Sequence, residues 1–460
     1  MSKKISQQTF DDAVKENIEE FSMSTSEAVE SAIQEFESQG VSLQNIITNS
    51  LLTNEVEIIK EKINKLKKVI EENPSDPELL PLLKDIKEEL DSGIAKRVLG
   101  GQCGLYDTLV DHIIKHETLE KSIKVAFFEA LVSLMTGYPD LLDDKGFSIV
   151  ANTLKNPSDD DILYLVLRWS VECCIKHERN RERFLNNETV ILSIKNVIEK
   201  DTISADVLRS LCRLFQTFVV NDDIRAEIPN AHKHACLISI EFLQPLIVRL
   251  KNFRSDKRVL VSVLQALVAI IVRNEFCQSF ADAGGLELLR DIILDYLEDE
   301  NVCRSCLGLI KVVAGNDQVK AKVMQVIDPS ILVSTIKKFS NSQKMCGQGL
   351  TTLSMLSLRN ANNCQLLRDN NVTELVVQCL KVHPQNKKIA KNACWLIKNL
   401  SQGNEKFGAD FLNLGVEDCL RSILKNHEDC VFEANTALRV LGFEVESKDI
   451  WTGEGKGIEN

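Results

Sequence analysis

The sequence predicts an all-α solenoid, a fold in which short helical units stack and each buries its apolar face on its neighbours. An Asn recurs where a long apolar helix gives way to a short one, at Asn180, Asn221, Asn274, Asn316, Asn362 and Asn404. The successive spacings are 41, 53, 42, 46 and 42 residues, and a period of roughly 40 to 47 residues is typical of solenoids with two or three helices per repeat. Only 9 prolines occur in 460 residues, which suits long stretches of amphipathic helix.

The long helices carry the predicted core. Residues 204–219 place Val207, Leu208, Leu211 and Phe215 on one stripe at helical spacing. Equivalent helices are predicted at 121–136, 161–175, 259–272, 301–314, 344–358, 387–400 and 429–442. This number of long helices indicates a right-handed superhelix of about seven or eight repeats.

Residues that tolerate a left-handed backbone are expected at the turn between the first and second helix of a repeat. The clearest turn is the Gly284-Gly285 pair. Comparable turns are predicted at Gly146, at Asn370 or Asn371, and at Gly415. The surplus in the 53-residue spacing falls at residues 230–248, where it forms either an elongated helix or loop, or an insertion that contacts a partner.

Four segments are predicted along the chain: an acidic amphipathic N-terminal segment at 1–50, a helical hairpin at 51–98, the repeat solenoid at 99–444 and a polar tail at 445–460. The first segment is expected to form two short helices, with Thr9 as the N-cap of the first and Gly40 ending the second. The apolar stripe of the first helix is Phe10, Val14, Ile18 and Phe21, and an apolar patch follows the second at Val41, Leu43, Ile46 and Ile47. Trp451 in the tail either caps the last repeat or docks on a partner.

Charge and apolar runs exclude several classes of partner. Residues 1–100 hold 20 acidic and 12 basic side chains, whereas residues 101–460 hold 47 and 43. Because no basic surface is indicated, nucleic acid is not expected as a partner. No uncharged run reaches the ~18 residues of a membrane helix, and the chain starts without an apolar signal region. The scattered single cysteines suit a reducing compartment, so we expect an intracellular protein that is cytoplasmic, with a nuclear location left open.

Two repeats carry a specific family resemblance. The junction DAGGLELLRDII at 282–293 and the segment NACWLIKNLSQGNEKF at 392–407 resemble armadillo repeats. The stretches TFDDAVKENIEEF at 9–21 and EFESQGVSLQNI at 35–46 closely resemble the start of the animal family called armadillo repeat-containing protein 6. The likeness runs through most of the chain. It implies an armadillo solenoid from a family without an assigned catalytic activity.

Motifs for catalysis or metal binding are few. The sequence has no GxSxG, GxxxxGK[ST] or HExxH motif. Three pairs of side chains have the spacing of potential metal ligands: Cys303 with Cys306, His112 with His116, and His232 with His234. Since zinc sites need more ligands than two, we expect packed thiols and solvated or capping histidines. The cluster Gly100-Gly101-x-x-Gly104 is expected to be a joint between helices. No cofactor or metal is predicted, and a metal- or thiol-dependent enzyme remains the less favoured alternative.

One pair of residues resembles a known peptide-binding motif. In nuclear-import adaptors of the armadillo superfamily, a Trp and an Asn one turn apart on the third helix recur in successive repeats. Trp395 and Asn399 match that pair once. In the two preceding repeats, the aligned positions hold Leu353 with Ser357 and Leu307 with Lys311. A transport-type adaptor is therefore kept as an alternative, and core packing of Trp395 is favoured.

The leading prediction is a non-enzymatic scaffold, monomeric, that binds an extended or helical segment of another protein along its concave groove. Basic residues on or at the ends of the long helices could form a positive stripe for an acidic partner: Arg168, Arg213, Arg273, Lys311, Lys398 and Arg439. Together with Trp395 and Asn399 they are the candidate partner-binding residues. The alternative is that these charges are solvated edges without a common register. A further hypothesis is that the acidic N-terminal segment itself lies in the groove.

Overall fold

The structure is a computed structural model that describes residues 5–21, 23–41, 43, 54–72, 77–116, 119–403 and 405–445. Across these ranges the chain is helical, with two short 3₁₀ turns and no β-strand. The chain divides into two compact units, Met1–His234 and Ala235–Asn460. The prediction of an all-α solenoid is confirmed.

The first unit begins with two helical hairpins and continues as repeats. Its helices are α1 (Gln7–Glu19), α2 (Thr25–Ser38), α3 (Asn54–Glu72), α4 (Leu79–Asp91), α5 (Ile94–Gln102), α6 (Leu105–Lys115), α7 (Lys121–Met135), α8 (Asp144–Lys155), α9 (Asp160–Cys174), α10 (Glu178–Leu185), α11 (Glu188–Glu199) and α12 (Ala205–Phe218). The boundary between the units falls inside α13 (Ala231–Asn252). This 22-residue helix accounts for the surplus at 230–248.

The second unit consists of repeats only. Its helices are α14 (Lys257–Ile270), α15 (Asn274–Asp282), α16 (Gly285–Asp295), α17 (Glu300–Val313), α18 (Asp317–Val326), α19 (Pro329–Lys338), α20 (Gln343–Ser357), α21 (Ala361–Asp369), α22 (Val372–Val382), α23 (Lys387–Ser401), α24 (Glu405–Asn413), α25 (Val416–Asn426) and α26 (Val431–Val440). The long helices predicted from the sequence are α7, α9, α12, α14, α17, α20, α23 and α26. They are called third helices below, since each closes one repeat.

Successive third helices pack against one another within each unit. In the first unit α7 packs on α9 and α9 on α12, with α4 of the second hairpin packed on the free side of α7. In the second unit α14, α17, α20, α23 and α26 form the same kind of row. Their contact faces are fully buried, as at Phe127, Leu211, Leu264, Leu350 and Leu396. Each such side chain contributes roughly 1.5–3 kcal/mol of transfer free energy. The rows are therefore the apolar spine of each unit.

Several helices of the repeats begin after a residue whose side chain caps the helix or whose backbone is left-handed. Five third helices have an N-cap side chain that accepts hydrogen bonds from the first turn: Asp159, Asp256, Asp299, Ser342 and Asn386. Four second helices follow a left-handed residue: Gly104, Gly284, Asn371 and Gly415.

The prediction for Gly146 was wrong. Gly146 lies inside α8, and the turn before that helix is made by Asp143, whose Oδ1 accepts from the Gly146 N–H at 2.8 Å. An Asp side chain can cap a helix without a left-handed residue. The Gly100, Gly101 and Gly104 cluster is a joint between α5 and α6, as expected.

Helices α1 and α2 form a small core of their own around Phe10, Val14 and Phe36. The N-cap of α1 is Ser6, whose Oγ accepts from the Thr9 N–H at 3.1 Å, and not Thr9 as predicted. Phe21 is also a correction, because it is 64% exposed; it follows the end of α1 at Glu19, where the helical periodicity no longer applies. Gly40 has φ +73° and ends α2 as predicted. Ile46, Ile47 and the tail from residue 446 lie outside the described residues.

Two positions in the first helix of a repeat bind it to neighbouring helices. The third residue is Asn180 in α10 and Asn363 in α21. Asn363 Nδ2 donates to Leu356 O at 2.9 Å and to Lys320 O at 3.3 Å. Asn180 Nδ2 repeats this geometry, donating to Cys173 O at 2.7 Å and Pro139 O at 3.2 Å. Each Asn thus ties its helix to the end of the preceding third helix and to the repeat before it.

The fourth residue of the first helix contacts the third helix of its own repeat instead of the preceding one. In α15, α18 and α21 it donates to a carbonyl at or just beyond the carboxyl end of the third helix in its own repeat: Cys277 Sγ to Val312 O at 3.8 Å, Lys320 Nζ to Leu358 O at 3.1 Å and Cys364 Sγ to Asn399 O at 3.6 Å. In α10 the fourth residue is Arg181, whose Nη1 donates to Val220 O beyond α12. Carbonyls in the last turn of a helix lack the regular intrahelical donor, and these side chains give a further donor to carbonyls in that turn or just beyond it.

Changing Asn363 to Ala tests the Asn contacts. We expect the free energy of unfolding to fall by about 1–3 kcal/mol, because two buried carbonyls lose their donor. Asn392→Ala is the matched control, since its Nδ2 bonds only Lys388 O within α23 at an exposed site, and surface changes stay within ~0.5 kcal/mol. Urea unfolding followed by circular dichroism measures both. Equal midpoints for the two variants would refute the structural role of Asn363.

Gly285→Ala tests the tight turn before α16. An added Cβ would lie 2.6 Å from Phe280 O, so we expect a loss of roughly 1–3 kcal/mol from overpacking. Gly408→Ala is the control, because nothing lies within 4 Å of its Cβ position in α24, and Ala in a helix is about 0.5–1 kcal/mol better than Gly. Thermal melts should move in opposite directions for the two variants. A gain in stability from Gly285→Ala would contradict the turn geometry.

Candidate partner-binding surface

The third helices leave one face open to solvent, and we call it the third-helix stripe. Its members lie three or four residues apart and are half-buried or exposed: Tyr164, Arg168 and Glu172 in α9; Arg209, Arg213 and Gln216 in α12; Gln265 and Val268 in α14; Arg304, Gly308 and Lys311 in α17; Gln348, Thr351 and Met355 in α20; Lys391, Trp395 and Lys398 in α23; Phe432, Asn435 and Arg439 in α26. In the second unit neighbouring stripes adjoin, since a Cβ at Gly308 would lie 3.8 Å from Val268 Cγ2 and 4.0 Å from Gln348 Nε2.

In the first unit, two predicted arginines surround one carboxyl group. Arg168 and Arg213 are exposed, and the Arg168 guanidinium lies 5.8 Å from the centre of the Tyr164 ring. Burial raises the pKa of Glu172, while Arg168 and Arg213, together with Arg97, oppose that rise. Neither stripe arginine forms a salt bridge to a described residue. This part of the stripe therefore combines two exposed arginines with one carboxyl group whose charged form is disfavoured by burial.

In the second unit the predicted basic residues fall into two groups. Lys311, Lys398 and Arg439 lie on the stripes of α17, α23 and α26. Arg273 does not: α14 ends at Ile270, and Arg273 is the residue before α15, where its Nη1 lies 3.2 Å from Glu275 Oε1. The structure thus separates Arg273 from the other basic candidates of this unit.

Trp395 and Asn399 have different surroundings. Trp395 is half-buried, with Lys398 Nζ 4.8 Å from its ring centre and the Phe432 ring 6.3 Å away. Asn399 Nδ2 donates to Ser354 O at 3.0 Å and lies 3.4 Å from the hydroxyls of Ser354 and Ser357. The Asn399 amide is therefore already engaged with the preceding third helix.

The sequence alignment of this pair with earlier repeats was out of register. Leu353 and Leu307 are fully buried, so they are spine residues and cannot match a half-buried Trp395. Counted from the first residues of the helices, the equivalents are Thr351 with Met355 in α20 and Gly308 with Val312 in α17. Neither pair is a Trp with an Asn, so within these helices the import-adaptor ladder is absent in the corrected register as well.

The potential metal ligands are dispersed within the fold. Cys303 and Cys306 are buried in α17, and burial raises the pKa of Cys303 to about 11. His112 stacks on Phe127 with ring centres 4.6 Å apart and has His116 4.7 Å away. His234 is buried with Nδ1 3.0 Å from Phe218 O, whereas His232 is exposed. The described part of the chain contains no group of three or more side chains suited to hold a metal.

Sequence reasoning missed two features. The first feature is Phe432, which lies beside Trp395 and is 68% exposed. An apolar side chain is unusual at this position of the repeat, and the position becomes clear only when the helix bounds are known. Cys346 and Cys379 form a buried pair, and hydrogen bonding from Cys379 lowers the pKa of Cys346 to about 7. Cys346 Sγ and His383 Nε2 both contact Ser340 O, at 3.2 and 2.7 Å. Cys346 and Cys379 come from separate helices, so no spacing pattern in the sequence predicts that they meet.

No helix among the described residues has the length and apolar character that a membrane crossing requires.

Comparisons with known proteins agree on one family. The family model described as ARMC6 matches residues 57–458, and the model of the armadillo repeat-containing protein 6 N-terminal domain matches residues 2–67. The armadillo repeat-containing protein 6 homolog of Drosophila melanogaster is 33% identical over 366 residues, 78% of each chain. Armadillo repeat-containing protein 6 of Homo sapiens is 30% identical over 486 residues, 99% of this chain and 94% of that protein.

Solved structures show the same fold at low identity. An engineered protein superposes with a TM-score of 0.64 at 15% identity, covering 85% of this chain and 99% of that chain. A chain from work on a phosphorylation switch that controls the interaction between cadherin and beta-catenin gives a TM-score of 0.56 at 13% identity, covering 80% and 69%. At these identities the likeness concerns the fold alone.

Metal analysis of the purified full chain tests the dispersed ligand pairs. We expect no stoichiometric zinc, because two ligands do not complete a zinc site. Inductively coupled plasma mass spectrometry after dialysis measures it, with a zinc-finger protein handled in parallel as the positive control. One zinc retained per chain, and lost in Cys303→Ser, would overturn the assignment of these thiols to the core.

Proposed function

The chain belongs to the armadillo repeat-containing protein 6 family, and we propose that it is a non-enzymatic scaffold that binds an extended or helical segment of another protein on its third-helix stripes. The observation that carries the proposal is the exposed positive charge on these stripes. Arg168, Arg213, Lys398 and Arg439 form no salt bridge to a described residue. Cations that form no salt bridge within the described residues can pair with a partner's carboxylates.

The chemistry of the stripes fits a protein partner. Binding energy at such surfaces comes mainly from a few aromatic and Arg side chains, and charge complementarity sets register and association rate. A fold neighbour comes from work on the interaction between cadherin and beta-catenin, which supports a protein partner for this fold. The partner segment we propose is acidic, because the stripes hold more basic than acidic side chains.

A transport-type adaptor is the less favoured function. It would need a free Asn amide one turn from each Trp, and the Asn399 amide is bonded to Ser354 O. Affinity for a lysine-rich import peptide tests it directly. An intracellular location is part of the proposal, supported by thiols that are all free and, except for Cys103 and Cys419, buried.

Charge reversal separates the stripes from the rest of the surface. Arg168→Glu with Arg213→Glu changes the first unit, and Lys311→Glu with Lys398→Glu changes the second. We expect at least one double variant to recover roughly tenfold less partner, which corresponds to a loss of about 1.4 kcal/mol of binding free energy. Affinity purification from cells with quantitative mass spectrometry measures recovery, repeated with residues 1–50 removed.

Arg273→Glu is the matched control, because Arg273 is exposed but lies off the stripes. Its partner recovery should equal that of the unchanged chain. If both stripe variants retain full recovery, or if Arg273→Glu is the most damaging change, the third-helix stripe is not the binding surface.

A further inference from the structure

Phe432 occupies a position that other repeats fill with polar residues. It is the second residue of its third helix, and the same position holds Arg258, Asn301, Lys344 and Lys388 in α14, α17, α20 and α23. All five side chains are exposed. Packing of the fold therefore does not require an apolar side chain at this position. The last repeat nevertheless has Phe432 there, and its side chain is 68% exposed.

Trp395 is out of pattern in the same way. It is the ninth residue of α23, and its equivalents are Gln265, Gly308, Thr351 and Arg439. None of the equivalents is aromatic, so packing of the spine does not select a Trp. The two exceptional residues are neighbours, with ring centres 6.3 Å apart and planes inclined at 55°. Two independent departures from the repeat pattern thus meet at one place.

The charge around this aromatic pair is positive. Helix α23 contains four lysines and no acidic residue. Two of the lysines are neutralised: Lys387 pairs with Asp429, and Lys391 Nζ lies 3.0 Å from Glu433 Oε1. Lys388 and Lys398 form no salt bridge to a described residue.

Two basic residues of the stripe accompany the two rings, one beside Trp395 and one two turns beyond Phe432. Lys398 Nζ sits 4.8 Å from the Trp395 ring centre, and Arg439 lies seven residues after Phe432, on the same face of α26. Neither cation has a carboxylate partner among the described residues. This basic surface stands on a chain whose net charge is −12, so the positive charge is a local feature and not a consequence of composition.

We infer that Trp395 and Phe432, together with Lys398 and Arg439, form the docking site for an acidic peptide segment of a partner protein that carries an aromatic or aliphatic anchor. The inference rests on the proposed scaffold function and names the partner's chemistry. The anchor packs against the two rings, where a Trp and a Phe offer large apolar area at low entropic cost. Carboxylates on either side of the anchor pair with Lys398 and Arg439, and the charge match fixes the register of the segment.

Selection from a random library tests the inference without a known partner. The full chain is immobilised and challenged with displayed random 16-residue peptides, in parallel with the double variant Trp395→Gln and Phe432→Lys. These substitutions are residues that other repeats hold at the same positions, Gln265 and Lys388. We expect the unchanged chain to enrich peptides with Asp or Glu around an aromatic or aliphatic residue, and the double variant to enrich none of them.

Leu192→Lys is the matched control, because Leu192 is an exposed apolar residue, 58% accessible, on α11. The Leu192→Lys chain should melt with the unchanged chain, since surface changes stay within about 0.5 kcal/mol, and a cooperative melt of the double variant shows that it is folded. The best peptide is then synthesised, and its Kd is measured by fluorescence anisotropy. We expect the double variant to weaken binding at least tenfold and Leu192→Lys to leave it unchanged.

Several results would overturn the inference. These are peptides that bind the double variant equally well, basic or uncharged consensus sequences, and the absence of any enrichment. Peptides that bind only a chain lacking residues 446–460 would assign the site to the chain's own tail, and would also overturn it. The scaffold proposal is judged separately by recovery with Arg168→Glu and Arg213→Glu, which do not touch this site.

Discussion

The carbonyl groups at the carboxyl end of a helix have no partner inside that helix. In this chain the first helices of the repeats supply the missing donors. For α20, Lys320 of the same repeat donates to Leu358 O, and Asn363 of the next repeat donates to Leu356 O. Each repeat therefore depends on its neighbours for hydrogen bonds as well as for apolar contact. Such polar coupling fixes the register between repeats, which apolar packing alone specifies loosely.

The forward donors show why a sequence pattern finds only part of this network. The fourth residue of the first helix is Arg181, Cys277, Lys320 or Cys364. These side chains differ in charge and length, so no single residue type marks the position, although the geometry repeats. Asn180 stood out because it belongs to a periodic series. Asn362 belongs to the same series, but its neighbour Asn363 makes the buried contacts.

Periodicity predicted the long helices well, because each presents a wide apolar stripe over three or four turns. It failed where a local interaction competed with the pattern. Asp143 caps α8, so Gly146 has no turn to make. The placement of Leu353 opposite Trp395 failed for another reason: repeat lengths vary, and a shift of two residues moves a position from the open face to the spine. Arg273 follows the end of α14, so it lies off the stripe although it is close to a long helix in sequence.

Once the register is known, the positions of a third helix fall into two groups. At some positions the fold restricts the side chain, and at others it does not. Leu396 and Leu400 are buried in the spine, so packing restricts them to apolar side chains. Asn399 is half-exposed but bonds the preceding third helix, so the fold accounts for it as well. Trp395 is half-buried, and because the equivalent position holds a Gln, a Gly, a Thr or an Arg in other repeats, packing does not require a Trp there. A residue that the fold leaves free, and that departs from every equivalent, is therefore more informative about function than one that the repeat pattern already explains.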